Sequence, residues 1–378
     1  MRRSSTRTKT VVADVCAAME KLAPTALAQE WDNVGLLAGD LQAAVRGVLL
    51  TIDLTEAVVD EAIRKKVEFI ISYHPPIFKP ITSLRTPGSG MDALVFRCIR
   101  GGAAIYSPHT ALDAAEGGTN DVLAELCGIA QTEPLEYVDA PTEDQCKFVV
   151  FVPSEHVEKI ASAIFKAGAG HIGDYSQCSF RASGEGTFLG GETTRPAIGQ
   201  RGKMESVQEV RLESIVRTRD IPKVLKAMRD VHPYEEPAFD IYPLKAGPVR
   251  GIGRCGRLSK TTTLEKLARR LRLQAKANCV QIVGERDRPV DEAVIVAGAA
   301  GSLPFRILLS SRHVIITGEI RHHDALTIQR VGCTAIALGH WASERPVLRA
   351  LARRLAEILP ALSFSIGSAD RDPFRPVR

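Results

Sequence analysis

The sequence lacks the features that mark several common functional classes. It contains no run of 18 apolar residues, which argues against a transmembrane helix. The GxSxG elbow of α/β-hydrolases and the HExxH motif of metalloproteases are missing. We also find no zinc finger, recognition helix or aromatic-basic RNA motif, so we do not expect nucleic acid as a partner.

Paired cysteines are missing as well, although the chain has eight cysteines. No two of them are spaced as CxxC, and most lie in apolar segments, where cysteine behaves as a small hydrophobic residue. None has an obvious histidine partner in sequence, so a cysteine nucleophile is not supported. This usage predicts reduced thiols and a cytoplasmic protein.

The start of the chain, MRRSSTRTKT, is not followed by the apolar segment and cleavage site of a secretory signal. We interpret it as a frayed tail, with a weak organellar leader as the minor alternative.

What is present is typical of a globular protein. The chain has 378 residues, 45% apolar and 25% charged, which is enough for two or three domains. The net charge of +5 is mild for this length and the basic residues are spread out.

Alternating strands and helices dominate the two ends of the chain. Residues 1–140 and 247–378 predict the two parts of one α/β domain with largely parallel sheets. The apolar run from Val67 to Ile71 reads as a buried strand that delivers His74, which two prolines then hold in a non-helical turn.

The middle of the chain has a different pattern. Residues 145–245 read as strand, helix, strand, strand, helix, strand, with the second strand expected at residues 174–182. This order predicts a ferredoxin-like insertion built from two similar βαβ halves.

Polar clusters stand at the ends of four predicted strands. They are His74, His109 with Asp113, His340 with Glu344, and the segment Glu319–Asp324. The spacing of four in two of these clusters puts both side chains on one face of a helix. Imidazole and carboxylate together suit divalent metals, so we expect these strand ends to meet at one edge of one sheet and hold metal. Any single histidine among them is more often structural.

Two loops have open interpretations. The segment GAAGS at residues 298–302 either cradles a phosphate or makes a tight turn after a strand. The segment HPYEEPAF at residues 232–239 is either a charged turn or a loop that senses a ligand or gates a cavity.

Several motifs in this order identify a resemblance that covers nearly the whole chain. EWDNVGLLAGD, SYHPPIFKP, YSPHTALDAAEGGTNDVLAE, GEIRHHDAL and GHWASE resemble those of the Nif-three family, dinuclear metal-binding proteins labelled GTP cyclohydrolase I type 2 homologues. The resemblance implies a ring-shaped homohexamer and a PII/CutA-like insertion. It also implies that the two metal ions are held by His74, Asp113, His340 and Glu344, with His322 and His323 lining the site.

One residue departs from the family pattern. Many bacterial members carry His-His-Pro where this chain has Tyr73, His74 and Pro75. A neutral phenol with a pKa near 10 is a poor ligand, so we expect one of the two metals to bind more weakly here.

The resulting functional hypothesis is a metal-dependent hydrolase that acts on a small molecule, with GTP as the most specific candidate. His109, His322 or His323 would serve as general acid or base. The mixed ligands suit Zn, Mn, Fe, Co and Ni alike. The alternative is a metal-binding scaffold or regulator whose insertion senses a ligand or builds the oligomer. A third hypothesis, transcriptional regulation through protein partners, rests only on the family's name.

Overall fold

The computed structural model describes residues 9–88, 90–138, 145–244 and 250–377. The chain folds into two compact units. The split unit comprises Met1–Val138 and Gly247–Arg378, and the insertion unit comprises Asp139–Ala246. The basic start up to residue 8 and the expected boundaries at residues 140, 245 and 247 lie outside the described residues.

The first segment of the split unit alternates helices and short strands. Its helices are α1 (Val12–Leu22), α2 (Glu56–Lys65), α3 (Met91–Arg100), α4 (His109–Ala114) and α5 (Thr119–Cys127). Its strands are β1 (Gly35–Ala38), β2 (Gly47–Thr51), β3 (Phe69–Ser72), β4 (Ala104–Ser107) and β5 (Glu136–Tyr137).

The insertion unit contributes the next six elements. They are β6 (Gln145–Pro153), α6 (Val157–Lys166), β7 (Ser179–Leu189), β8 (Met204–Arg217), α7 (Ile221–Arg229) and β9 (Phe239–Pro243).

The second segment of the split unit contains the remaining elements. Its strands are β10 (Gly251–Ile252), β11 (Arg254–Thr263), β12 (Gln281–Val283), β13 (Pro289–Ala299), β14 (His313–Glu319), β15 (Thr334–Ala337) and β16 (Ser363–Ile366). Its helices are α8 (Leu264–Gln274), α9 (His322–Arg330), α10 (His340–Glu344) and α11 (Val347–Ile358).

The first sheet of the split unit has the strand order β1-β4-β3-β2-β16. All of its pairs are parallel except the edge pair of β1 with β4. Every residue of β3 is buried, as expected for a strand that is covered on both faces. The last strand, β16, comes from the far end of the chain, so the two segments share this sheet.

The second sheet has the order β11-β13-β14-β15-β12. Its three central strands are parallel, and the edge strands β11 and β12 run antiparallel to their neighbours. The predicted polar strand ends are therefore divided between two sheets, and the expectation of a single sheet is wrong. The local patterns at the two ends of the chain are alike, and they do not reveal which strands pair over a long distance.

The insertion unit has the predicted βαββαβ order. Its sheet has the order β7-β8-β6-β9 and is antiparallel throughout. Phe148, Val150 and Val152 alternate along β6 and pack with apolar residues of both helices in a separate core. The strand β7 begins at Ser179 instead of residue 174, because Ile172 and Tyr175 close a tight turn before it.

All eight cysteines lie in the described residues, and none of them forms a disulfide. Within the part of the chain that the structure describes, no helix is both long and apolar enough to cross a bilayer.

Candidate metal centre

The backbone after β3 fixes the position of His74. The amides of Tyr73 and His74 donate to Thr51 O and Ile52 O at 2.9 and 3.0 Å, which continues the pairing with β2 beyond the assigned strands. The Ser72 hydroxyl donates to the His74 carbonyl at 2.8 Å. His74 therefore stands on a rigid strand end, as the sequence predicts.

The turn between β15 and α10 presents His340 and Glu344 in a similar way. The amides of Leu338 and Gly339 donate to Thr317 O and Gly318 O at 2.9 and 3.0 Å, so the pairing with β14 also continues past the strand end. Gly339 has a φ of +88°, a conformation that favours glycine, and the helix starts at the next residue. One helical turn then brings His340 Nε2 to 3.1 Å from Glu344 Oε1.

His74, His340 and Glu344 form a three-residue cluster, with ligand atoms from all three within 4.8 Å of one another. His74 Nε2 lies 3.3 Å from Glu344 Oε2. The Glu344 carboxyl is buried, and Oε2 makes no hydrogen bond of good geometry. A buried carboxylate oxygen without a hydrogen bond, beside two imidazole nitrogens, is the environment that a divalent cation completes.

Gly298 has no side chain, and this absence leaves room for the cluster. A Cβ atom at this position would lie 2.5 Å from Glu344 Oε1 and 3.3 Å from His340 Nε2. The Gly298 amide instead donates to Ser343 Oγ at 2.9 Å, which ties the end of β13 to α10. The first glycine of GAAGS thus packs against the cluster, and the phosphate interpretation of this loop stays a prediction.

Carboxylates stand behind both imidazoles of the cluster. Asp53 Oδ1 lies 2.9 Å from His74 Nδ1, and Glu319 Oε1 lies 3.2 Å from His340 Nδ1. With each Nδ1–H directed at a carboxylate, each Nε2 faces Glu344 and can ligate a metal ion once it has released its proton. This is the usual support of a metal-binding histidine.

The charges in the cluster stabilise one another. Burial opposes protonation of His74, but the hydrogen bond to Asp53 and the adjacent Glu344 carboxylate outweigh it and raise the pKa of the imidazole to about 10. The hydrogen bond to Glu344 likewise raises the pKa of His340. Burial acts to raise the pKa of Glu344, but the two histidines outweigh it and keep the carboxyl ionised.

Asp113, the fourth predicted ligand, has a different environment. The Tyr73 hydroxyl donates to Asp113 Oδ1, and Thr119 Oγ1 donates to the same hydroxyl at 3.3 Å. Burial raises the pKa of Asp113 to about 6, the charge of Glu344 adds to this rise, and the Tyr73 hydrogen bond opposes it. Burial is the main reason why the pKa of Tyr73 is raised well above 10, and the charges of Asp113 and Glu344 add to it. The phenol therefore keeps its proton. Asp113 thus lies beside the cluster, and its carboxyl accepts a hydrogen bond from the Tyr73 side chain.

His109 stands next to the cluster at the start of α4. Its Nδ1 is 2.8 Å from Asp32 Oδ1, and its ring centroid is 5.4 Å from that of His74. Its φ of +25° is rare for a residue with a side chain, and such strain is commonly found at functional sites. Burial opposes ionisation of Asp32, but hydrogen bonds from His109 and Thr110 outweigh it and lower the pKa.

His322 and His323 are exposed at the start of α9, with ring centroids 5.4 Å apart. Neither belongs to the metal-ligand cluster found among the described residues. Their role at the site stays a prediction.

The sequence predicted Glu319 within a polar cluster, but it did not predict that Glu319, Asp53 and Asp32 each face the Nδ1 atom of a histidine. Asp53 and Glu319 stand at or just beyond the ends of β2 and β14, and this position was the available signal. Asp32 lies 77 residues before His109, and its motif gives no sign of the pairing.

Comparisons with known proteins agree with the motifs. The family model Duf34/NIF3 (NGG1p interacting factor 3) matches residues 10–373. A Bacillus subtilis protein named GTP cyclohydrolase 1 type 2 homolog is 35% identical over 362 residues, which cover 94% of this chain and 95% of that protein. A protein of the same name from Mycobacterium bovis is 38% identical over 339 residues, covering 89% and 88% of the two chains.

Solved structures agree with the observed fold. The crystal structure of a Bacillus cereus protein related to NIF3 matches with a TM-score of 0.77 and 34% identity, covering 98% of this chain and all of that one. A Staphylococcus aureus crystal structure matches with a TM-score of 0.79 and 26% identity, covering 98% and 99% of the two chains.

Proposed function

Because this chain belongs to the Duf34/NIF3 family, we propose that it is a divalent-metal-dependent hydrolase whose metal is held by His74, His340 and Glu344. The observation that carries the proposal is Glu344 Oε2, which is buried without a hydrogen bond beside His74 Nε2. Three protein ligands leave coordination positions open, as catalytic sites require.

The residues around the cluster have distinct tasks in this proposal. A divalent cation held by these residues would supply Lewis acidity for the attack of water on an electrophilic carbon or phosphorus. Asp53 and Glu319 hold the imidazoles in the ligating tautomer. His109, oriented by Asp32, transfers a proton to or from the substrate as general acid or base.

A cavity of about 380 Å³ beside His74 supports a small substrate. Asp53, Thr55 and Arg371 are among its lining residues, so cationic and anionic groups face the same space. The relatives' name, GTP cyclohydrolase 1 type 2 homolog, makes GTP the first substrate to test. The Arg371 guanidinium suits a phosphate group of such a substrate.

Asp113 supports the proposal of a second, more weakly held ion. Its carboxyl is close enough to Glu344 for the Glu344 charge to raise the pKa of Asp113. Each of these carboxylates would hold one of two neighbouring ions, and the hydrogen bond from Tyr73 takes up part of the acceptor capacity of Asp113. We propose the ring-shaped homohexamer on family resemblance alone.

The alternative is a metal-binding scaffold without turnover, whose insertion senses a ligand. The observation in its favour is that the insertion unit has its own core and its own cavity. In this alternative the metal is structural and no substrate is consumed.

Metal content measured by mass spectrometry tests the site. We expect wild-type protein to hold one ion tightly and a second weakly. The variant His340→Ala/Glu344→Ala should lose both, while His322→Ala/His323→Ala should keep the tight ion. Circular dichroism checks folding, and Glu344→Gln serves as a milder variant if the double variant unfolds. Metal-free wild type, or equal metal in all variants, contradicts the proposed site.

Turnover then separates the two functions. Release of phosphate or a change in purine absorbance with GTP, lost in His109→Gln while metal is retained, favours the hydrolase. Full metal occupancy without turnover of GTP or simple phosphoesters favours the scaffold.

A further inference from the structure

A second cavity, of about 320 Å³, lies wholly within the insertion unit. Its walls come from the end of β7, the loop that joins β7 to β8, β8 itself and the loop between α7 and β9. This size is at the lower end of the range for small-molecule sites. The cavity contains none of the metal-centre residues, so the proposed hydrolase function does not account for it.

One wall of this cavity is rigid. His232 is buried, and its Nε2 lies 3.1 Å from the carbonyl of Phe151. Its Nδ1 accepts the Tyr234 amide at 3.1 Å, which fixes the Tyr234 backbone. Because burial lowers the pKa of His232, the imidazole stays neutral and keeps both interactions at pH 7. The segment HPYEEPAF therefore has a structural role at His232 and presents the next residues to the cavity.

The opposite wall is tied to the same loop. The Arg195 amide, in the β7–β8 loop, donates to Glu235 Oε2 at 3.1 Å. The ring of Phe188 lies 6.3 Å from that of Tyr234, so two aromatic rings line the space between the loops. The hydrogen bond and the ring pair hold the two loops around the cavity.

The charge of the lining is negative. Glu209, Glu235 and Glu236 face the cavity against the single guanidinium of Arg195, which leaves a net charge of −2. The Glu209 side chain has room in the lining because residue 186 is glycine. A Cβ atom at position 186 would lie 2.2 Å from Glu209 Oε2.

The Tyr234 hydroxyl is one of two buried side-chain polar atoms in the described residues that lack a hydrogen bond of good geometry. Burial, together with the nearby Glu209 carboxylate, raises the pKa of the phenol, which therefore stays protonated. The Glu209 carboxylate is a nearby acceptor for this hydroxyl proton, which leaves the Tyr234 oxygen as an acceptor for a donor group of a ligand.

We propose that this cavity binds a small organic cation with an apolar or aromatic body. The positive group, an amidinium, guanidinium or amine, would sit among the carboxylates and bind the Tyr234 oxygen. The apolar body would pack on Phe188 and the Tyr234 ring, whose faces attract cations. The net negative lining would repel an anion, which would find a favourable charge only on the Arg195 guanidinium.

Three probes of equal size and shape test the charge preference. Benzamidinium, benzamide and benzoate are titrated into the intact protein by calorimetry. We expect saturable benzamidinium binding with a Kd on the order of 1 mM or tighter, at least about tenfold weaker binding of benzamide, and no binding of benzoate. Equal or tighter binding of benzamide or benzoate overturns the proposal, and so does the absence of saturable benzamidinium binding.

Paired variants locate the site. Glu209→Gln should weaken benzamidinium binding about tenfold, whereas Glu155→Gln, an exposed carboxylate of the same unit outside the cavity, should not. Tyr234→Phe should weaken binding about threefold and leave the thermal midpoint of the unliganded protein equal or higher, because it removes a buried hydroxyl that lacks a hydrogen bond of good geometry. Tyr175→Phe, at a residue that is 76% exposed, is its control.

We expect benzamidinium binding to be independent of the metal centre. His340→Ala/Glu344→Ala should bind benzamidinium as the wild type does. Loss of binding in that variant, or unchanged binding in both Glu209→Gln and Tyr234→Phe, places the probe elsewhere and overturns the proposal.

Discussion

Three histidines around the candidate centre share one local arrangement. In His74, His109 and His340, Nδ1 faces a carboxylate of Asp53, Asp32 and Glu319 respectively. The histidines were predictable because each follows a strand end closely. Glu319 was part of a predicted cluster, but the pairing of Asp53 with His74 and of Asp32 with His109 was not predictable. These partners lie 21 and 77 residues apart, and strand pairing or loop packing brings them together.

Asp53→Asn should weaken the binding of the tightly held metal about 10- to 100-fold. The amide that replaces the carboxylate no longer fixes the His74 tautomer or increases the basicity of its Nε2. Competition with a chromophoric chelator measures the change. Asp60→Asn is the matched control, because Asp60 pairs with Arg97 on the surface of α2. An unchanged metal affinity in Asp53→Asn would show that this carboxylate has no part in the site.

Tyr73→His should raise the occupancy of the weaker metal site. The substitution removes the phenol that binds Asp113 and adds an imidazole beside it. Metal titration followed by mass spectrometry should show a second ion bound more tightly in this variant than in the wild type. Tyr73→Phe is the control, since it frees Asp113 and adds no ligand. Equal, full occupancy by two ions in the wild type and in Tyr73→His contradicts the prediction.

At the scale of elements, burial decided which strands could be predicted. The strands β3, β4 and β15 are buried along their whole length and were visible as apolar runs. The edge strand β11 (RCGRLSKTTT) is largely polar, and β16 has only four residues, so neither was predicted. The position of β16 depends on its pairing with β2, more than 300 residues earlier, which no local pattern contains.

One side chain joins α2 to the segment after β16. Glu61 is fully buried and accepts from Lys65 Nζ at 2.5 Å, from the Ser368 amide at 3.0 Å and from the Ala369 amide at 2.7 Å. Burial opposes ionisation of Glu61, but these donors outweigh it and lower its pKa from 4.5 to about 2. The ionised carboxylate therefore stabilises the folded state.

Glu61→Gln should lower the free energy of unfolding by about 1–3 kcal/mol at pH 7. A depressed pKa contributes its full stability above the unfolded value of 4.5 and loses it as the pH falls through about 2. The difference between wild type and variant should therefore shrink between pH 5 and about pH 2. Urea unfolding at several pH values measures it, with the exposed Glu357→Gln as control. A difference that is constant with pH would exclude the ionised carboxylate as its source.

At the scale of the whole molecule, the split unit is held together across its two segments. Arg254 of β11 is 2% exposed, and its Nε binds Asp121 of α5 at 2.5 Å. It also donates to the carbonyl of Ala115 at 3.2 Å. The sequence predicted that the two segments would close on each other, but it could not identify this buried ion pair, whose members are 133 residues apart.

The insertion leaves and re-enters the split unit at one point. The strand β5 pairs antiparallel with β10, Tyr137 opposite Gly251, and the Val138 amide donates to Arg250 O at 3.4 Å. This geometry is that of a hairpin whose tip has been replaced by the insertion. An Asn-Gly dipeptide would close it in a two-residue turn.

Replacing residues 139–249 by Asn-Gly should therefore leave a folded split unit. The cores of this unit and of the insertion unit are built from separate sets of residues, so we expect cooperative thermal unfolding and retention of the tightly held metal. Benzamidinium binding should be lost, because its proposed site lies in the deleted residues. A control that joins residue 134 to residue 253 with the same turn also removes β5 and β10, and it should be less stable. Loss of metal from the Asn-Gly variant, despite a circular dichroism spectrum of native shape, would show that the insertion is needed to complete the metal centre.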